Sequence, residues 1–89
     1  MTTEEILALM TLVSSNRPMS ARQVGETIID SASVAERYEG GRKALIPLVM
    51  HGAVVAPFTD SYSPTEKGRI AAALLMAKDP GLRVAFFDE

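Results

Sequence analysis

The order of signals between Pro47 and Arg69 constrains this chain more than anything else in it. Pro47-Leu48-Val49-Met50 is an apolar helix end, and His51-Gly52 closes it with a glycine suited to a left-handed cap. Ala53 to Phe58 follows as a valine-rich run that predicts a strand. Thr59-Asp60-Ser61 forms a polar tip, and Tyr62 opens a short return strand. Ser63 is then placed to cap a new helix, with Pro64 at its first position and Glu66 as capping-box partner. Helix, strand, tip, strand, helix is the resulting sequence of elements. The predicted fold class is mainly α with a small β-hairpin (α+β), its strands covering about 53–58 and 61–63.

The rest of the chain reads as helices with well-marked starts. Thr2 and Glu5 have capping-box spacing, and Ile6, Leu9, Met10 and Val13 follow at helical intervals until Ser14-Ser15-Asn16-Arg17-Pro18 stops them. This predicts a helix over about 3–14. A second box, Ser20 with Gln23, opens a helix over about 20–29, with Met19 and Val24 set for a hydrophobic staple and Val24, Ile28 and Ile29 as its buried stripe. Residues 30–39 suit one helical turn or two, started by Ser31 or Ser33. Gly40-Gly41 is expected to interrupt whatever forms there, because each glycine costs about 1 kcal/mol inside a helix.

A third helix is predicted over about 42–50, with Leu45, Leu48 and Val49 facing the core. Pro47 is tolerated in its first turn if the helix starts as late as Leu45, and kinks it if the start is Gly41. A fourth helix over about 64–78 carries Ile70, Ala71, Leu74 and Leu75 as its apolar stripe, and Asp79-Pro80-Gly81 ends it. The tail from 82 to 87 is mostly apolar. With no repeat or linker, residues 1–89 read as a single domain.

Composition narrows the function. An apolar fraction of 47% argues against disorder. Cysteine is absent, so disulfides and thiolate metal sites are out of reach, and a single histidine is too few for a metal cluster. No leader opens the chain, and no apolar run approaches the ~20 residues of a membrane span, so a cytoplasmic location and no membrane partner are expected. His51 reads as a solvated residue at a helix end. No Ser-His-Asp or paired-carboxylate arrangement emerges, and Gly40-Gly41 lacks phosphate-loop spacing. The expectation is a protein that is not an enzyme and needs no cofactor. Net charge is −2, but Glu4, Glu5, Asp88 and Glu89 lie at the ends, and without them nine basic residues face seven acidic ones.

Roughly from Ser20 to Lys78 the chain resembles the winged helix-turn-helix regulators. The residues that carry the resemblance are Arg42-Lys43-Ala44-Leu45, then Gly52-Ala53-Val54-Val55, then Tyr62 and Thr65-Glu66-Lys67-Gly68-Arg69. It implies a small regulator of transcription whose third helix enters the major groove of double-stranded DNA while the wing touches phosphates or the minor groove. Carried onto this sequence, Arg42 and Lys43 are the first candidates for DNA contact. Lys67 and Arg69 next to the wing, and Arg22 in the second helix, are candidates for holding the backbone. Such regulators are commonly dimers joined through terminal elements, which makes Leu82, Phe86 and Phe87 candidates for a homodimer contact.

Three features depart from the helix-turn-helix pattern, and a second function class is a module that docks on a larger enzyme such as RNA polymerase. About ten residues separate Ile29 from Gly40, where a helix-turn-helix has a tight turn. Asp60 occupies the tip, where a cation would serve phosphate better. The outer face of the third helix offers Arg42 and Lys43, then Ile46, Pro47 and Met50, rather than the polar side chains that read base edges. Ile46, Pro47 and Met50 with Tyr38 form the candidate protein-docking face, unless they bury against residues 30–39 and belong to an ordinary core.

Overall fold

A computed structural model describes residues 1–28 and 33–87. Helix α1 (Thr3–Ser15) starts at the Thr2–Glu5 capping box: the Glu5 amide donates to Thr2 Oγ1 at 3.2 Å and the Thr2 amide to Glu5 Oε2 at 2.8 Å. Asn16, in the left-handed region at φ 54°, ends it ahead of Pro18. Ala8 to Leu12 are all buried, and Ile6 and Val13 pack against the same core. α1 is therefore enclosed on more than one side. It touches every other helix and the return strand, which makes it the centre of the molecule.

Helix α2 (Ala21–Ile28) begins with the second box, Gln23 amide to Ser20 Oγ and Ser20 amide to Gln23 Oε1 at 2.9 Å. Met19 and Val24, the expected staple, are both buried. Ile29 and residues 30–32 lie outside the described residues. Helix α3 (Val34–Met50) is where the chain departs furthest from expectation. It starts at Ser33, whose hydroxyl accepts from the Glu36 amide at 3.3 Å, and runs for 17 residues straight through Gly40-Gly41 and Pro47. α3 thus begins at Val34, well inside the ten-residue gap expected between Ile29 and Gly40.

The glycines do not break α3 because Gly41 makes a contact that no other residue could. A Cβ built on Gly41 would lie 1.9 Å from the Ala21 carbonyl oxygen, and one on Gly25 would lie 1.8 Å from the Arg37 carbonyl oxygen. Each helix presses a glycine against the backbone of the other. The close crossing outweighs the roughly 1 kcal/mol propensity penalty of an interior glycine. Gly41, Ala44, Leu45 and Leu48 form the inward stripe of α3, while Val49, expected in the core, is 38% exposed.

The end of α3 turns through Gly52, whose φ of +77° is the left-handed conformation expected there. Strands β1 (Val54–Phe58) and β2 (Ser61–Pro64) then form an antiparallel hairpin with Val54 opposite Pro64 and Val55 opposite Ser63. The register shifts between Val55 and Phe58, so that Phe58 meets Ser61. A further rung comes from before α2: Met19 and Tyr62 exchange both backbone hydrogen bonds, at 3.0 and 2.8 Å.

Helix α4 (Glu66–Lys78) starts two residues later than expected, because Thr65 and not Ser63 is its cap. Thr65 Oγ1 accepts from the Gly68 amide at 3.1 Å and donates to the Gly52 carbonyl at 2.6 Å. Ser63 and Pro64 belong to the return strand instead. Gly68 has the same role as Gly25 and Gly41, since a Cβ there would lie 2.0 Å from the Ala53 carbonyl oxygen. The inward face of α4 is Gly68, Ala72 and the half-buried Ala71, Leu75 and Met76. Ile70 and Leu74, expected to be buried, point outward. The apolar tail is a short helix, α5 (Pro80–Phe86), capped by Asp79, whose side chain accepts from the Gly81 amide. Among the described residues no helix is long and apolar enough to cross a membrane.

Candidate nucleic-acid and protein interface

The exposed side of α3 carries most of the residues singled out by sequence. Arg42 and Lys43 lie two and three positions beyond Gly40 and are exposed. With Glu39, Gly40 and Ile46 they line a shallow groove of about 310 Å³. One turn further on, Ile46 is 44% and Met50 79% exposed, with Pro47 half-buried between them. Tyr38 is exposed near the start of the helix. One helix surface therefore presents two cations in its middle and an apolar patch toward its C-terminal end. Ile46 and Met50 remain outside the core.

The other expected cations fall into two groups. Arg22 is exposed on α2, but its guanidinium Nε donates to Glu26 Oε1 at 3.1 Å one turn along the same helix. Part of its charge is answered locally. Lys67 and Arg69 project from the first turn of α4, and the Lys67 stem lies beside Gly52, its Cδ 3.8 Å from where a Cβ on that glycine would stand. Lys67 is thus brought to the C-terminal end of α3. Arg42 and Lys43 sit upstream on α3, roughly 13 Å along the axis at the usual helical rise. Among the described residues Arg42, Lys43, Lys67 and Arg69 form no ion pair with a carboxylate.

Asp60 has a role that charge reading missed. It occupies the hairpin tip at φ 53°, a conformation Asp tolerates better than most residues, and its Oδ1 accepts from the Ala21 amide at 2.9 Å. An anion at a helix N-terminus is favoured by the unsatisfied amides and the dipole. The carboxylate is thus spent on holding the hairpin to α2. Two bonds at Met19–Tyr62 reinforce the same junction. The signal available in the sequence was the weak one of Asp in a two-residue turn, because its partner lies 39 positions away.

The remaining candidates divide as follows. Leu82 and Phe86 are half-buried against the chain's own core, on the side of α5 that meets α1 and α4, whereas Phe87 is exposed. Val55 and Phe58 on β1, not singled out by sequence, are exposed, Phe58 at 74%. His51 is the exposed cap residue of α3, its amide donating to the Pro47 carbonyl at 3.0 Å. Among the described residues no three His, Asp or Glu side chains converge as a metal ion would require. Comparison of the chain with protein-family models, with curated proteins and with solved structures finds no match.

Proposed function

We propose that this protein is a small winged helix-turn-helix regulator that binds double-stranded DNA, with α3 as the reading helix and the β1–β2 hairpin as its wing. The observation that carries this reading is the contrast among the cations. Arg42 and Lys43 on α3, and Lys67 and Arg69 where the hairpin leads into α4, are exposed and have no carboxylate partner among the described residues, while Arg22 is paired. Cations left unpaired on α3 and on the first turn of α4 are free to replace the counterions of a phosphate backbone. Asp60 has a structural reason to occupy the tip, since its Oδ1 accepts from the Ala21 amide. The expected mode is groove insertion by α3, with Arg42 and Lys43 as anchors and Lys67 and Arg69 on the flanking backbone.

The test is fluorescence anisotropy of a labelled mixed-sequence duplex titrated with the protein at two ionic strengths. Four phosphate contacts predict a fall in affinity of roughly 150-fold between about 50 and about 200 mM salt. Arg42→Glu together with Lys43→Glu should abolish the binding. No binding at low salt and micromolar protein overturns the proposal.

A second reading is favoured by Met50, whose 79% exposure beside Ile46 is unusual for an apolar side chain at the end of a reading helix. On this reading the C-terminal half of α3 docks on a larger protein such as RNA polymerase. The two separate cleanly. Met50→Ser, which adds no charge, should leave duplex binding nearly intact yet weaken an apolar protein contact, and that contact should be insensitive to salt.

A further inference from the structure

Helix α4 is apolar over most of its length, yet its fully buried residues are only Gly68 and Ala72. Its outward side bears a ridge at four-residue spacing, Glu66, Ile70, Leu74 and Lys78, and all four are exposed. Ile70 is 56% and Leu74 61% exposed. Residues at i and i+4 stack along one face of a helix, so these side chains form one continuous row with a negative end, two branched apolar centres and a positive end. Beside the row runs a groove of about 480 Å³ lined by Ala73, Met76, Ala77, Arg83 and Phe87. The two alanines keep that flank low, leaving room for side chains that the chain itself does not supply.

We infer that this face is the contact between two copies of the chain, with α4 packed antiparallel on α4 about a two-fold axis. The occupant is fixed by the row's own pattern. In an antiparallel pair centred near Ala72, Ile70 faces the partner's Leu74 and Glu66 faces the partner's Lys78, twice over by symmetry. A parallel pair would set glutamate against glutamate and lysine against lysine, so charge selects the antiparallel arrangement. The ridge of each copy settles into the alanine-floored groove of the other, and Phe87, which closes that groove and is otherwise exposed, is covered in the process. This surface lies on α4, away from the cations and apolar patch of α3; only its Glu66 end adjoins Lys67 and Arg69, so Ile70 and Leu74 test it without touching the residues assigned to DNA.

The experiment is sedimentation equilibrium on the full chain over a range of concentrations. The expected result is a reversible dimer of twice the 9.6 kDa chain mass. Leu74→Glu should give a monomer with an unchanged circular dichroism spectrum, since Leu74 supports no buried contact that the fold depends on. Glu66→Lys and Lys78→Glu should each weaken self-association roughly tenfold or more, because each sets like charges against one another at both ends. Mixed in equal amounts, these two variants should associate again, each supplying the charge the other lacks. A chain that remains monomeric at high micromolar concentration overturns the inference. So does a dimer indifferent to Leu74→Glu, which would lie on another surface, and so does a failure of the mixed charge variants to recover.

Discussion

Helices α3 and α4 make an instructive pair. Both follow a well-formed cap, both contain a glycine pressed to within 2.0 Å of a carbonyl by an imagined Cβ, and both are rich in apolar residues. α3 shares its glycine crossing with α2 and buries Gly41, Ala44, Leu45 and Leu48 along a full inward stripe. α4 is anchored at its first turn, where Thr65 and Gly68 meet Gly52 and Ala53, and beyond that turn buries only Ala72 fully. One helix is part of the frame. The other packs one narrow face on the core and leaves an apolar side uncovered. Apolar content therefore does not measure commitment to a core; the position of the smallest residues does, because they mark where another backbone comes close.

The largest effect should come from breaking the frame. Adding a Cβ to Gly25 and Gly41 together places two methyl groups inside 2 Å of carbonyl oxygens, and neither oxygen is the end of a flexible side chain. Each substitution to Ala is expected to cost about 3 kcal/mol or more. Against a total stability of about 5–15 kcal/mol, the double variant should lose its cooperative unfolding transition in circular dichroism. A double variant that unfolds like the parent would mean that α2 and α3 can separate freely.

A leucine pair sharpens the same contrast. Leu48 on α3 is 1% exposed and Leu74 on α4 is 61% exposed, although sequence pattern placed both inside. Leu48→Ala should cost about 2–5 kcal/mol, whereas Leu74→Ala should change the stability of the single chain by no more than about 0.5 kcal/mol. Urea unfolding at low protein concentration measures both. Equal losses would erase the distinction between the two helices.

The anchor of α4 is open to a smaller test. Thr65→Ala removes the cap on the Gly68 amide and the hydroxyl bond to the Gly52 carbonyl, and should cost about 1–2 kcal/mol. Ser63→Ala, at the position where sequence spacing put the cap, should be nearly silent. Smallest of all is the acid response of α1. The Thr2 hydroxyl, and after it the Thr2 amide, hold the Glu5 carboxyl below its ordinary value of 4.5. Because the folded pKa is the lower one, this contribution is present above the unfolded value and fades as pH falls through the folded one. Glu5→Gln should therefore lower stability slightly at neutral pH and flatten its decline on the acid side, as read from thermal midpoints across pH.

How much of this was legible from residues alone depends on how far apart the partners lie. Thr2 with Glu5 and Ser20 with Gln23 are local, three positions apart, and both boxes form as their spacing implies. Gly52 is likewise a local matter of one left-handed residue. Gly41 was misjudged because the feature that makes it useful is the Ala21 carbonyl, far away in sequence. In α4, the run from Ile70 to Ala77 is apolar on every side, so periodicity could not tell which face turns inward; Gly68 and Ala72, one turn apart, were the available sign. The exposed cations of the candidate interface were legible as types. The pairing of Arg22 with Glu26, four positions along the same helix, is local as well, and that spacing is its signal in the sequence.

The bond from the Ala21 amide to Asp60 has a consequence for the order in which the molecule can assemble. Helix α2 spans eight described residues, and isolated helices shorter than about 12–15 residues are marginal in water. Its first amide finds its acceptor 39 positions downstream, and the segment leading into it pairs with Tyr62. A ribosome that has released only the residues up to α3 therefore holds a chain whose second helix has its Ser20–Gln23 box and its glycine crossing with α3, but not its tie to the hairpin. Synthesis must pass the hairpin before that tie can form, so the start of α2 is completed only by residues from the other half of the chain.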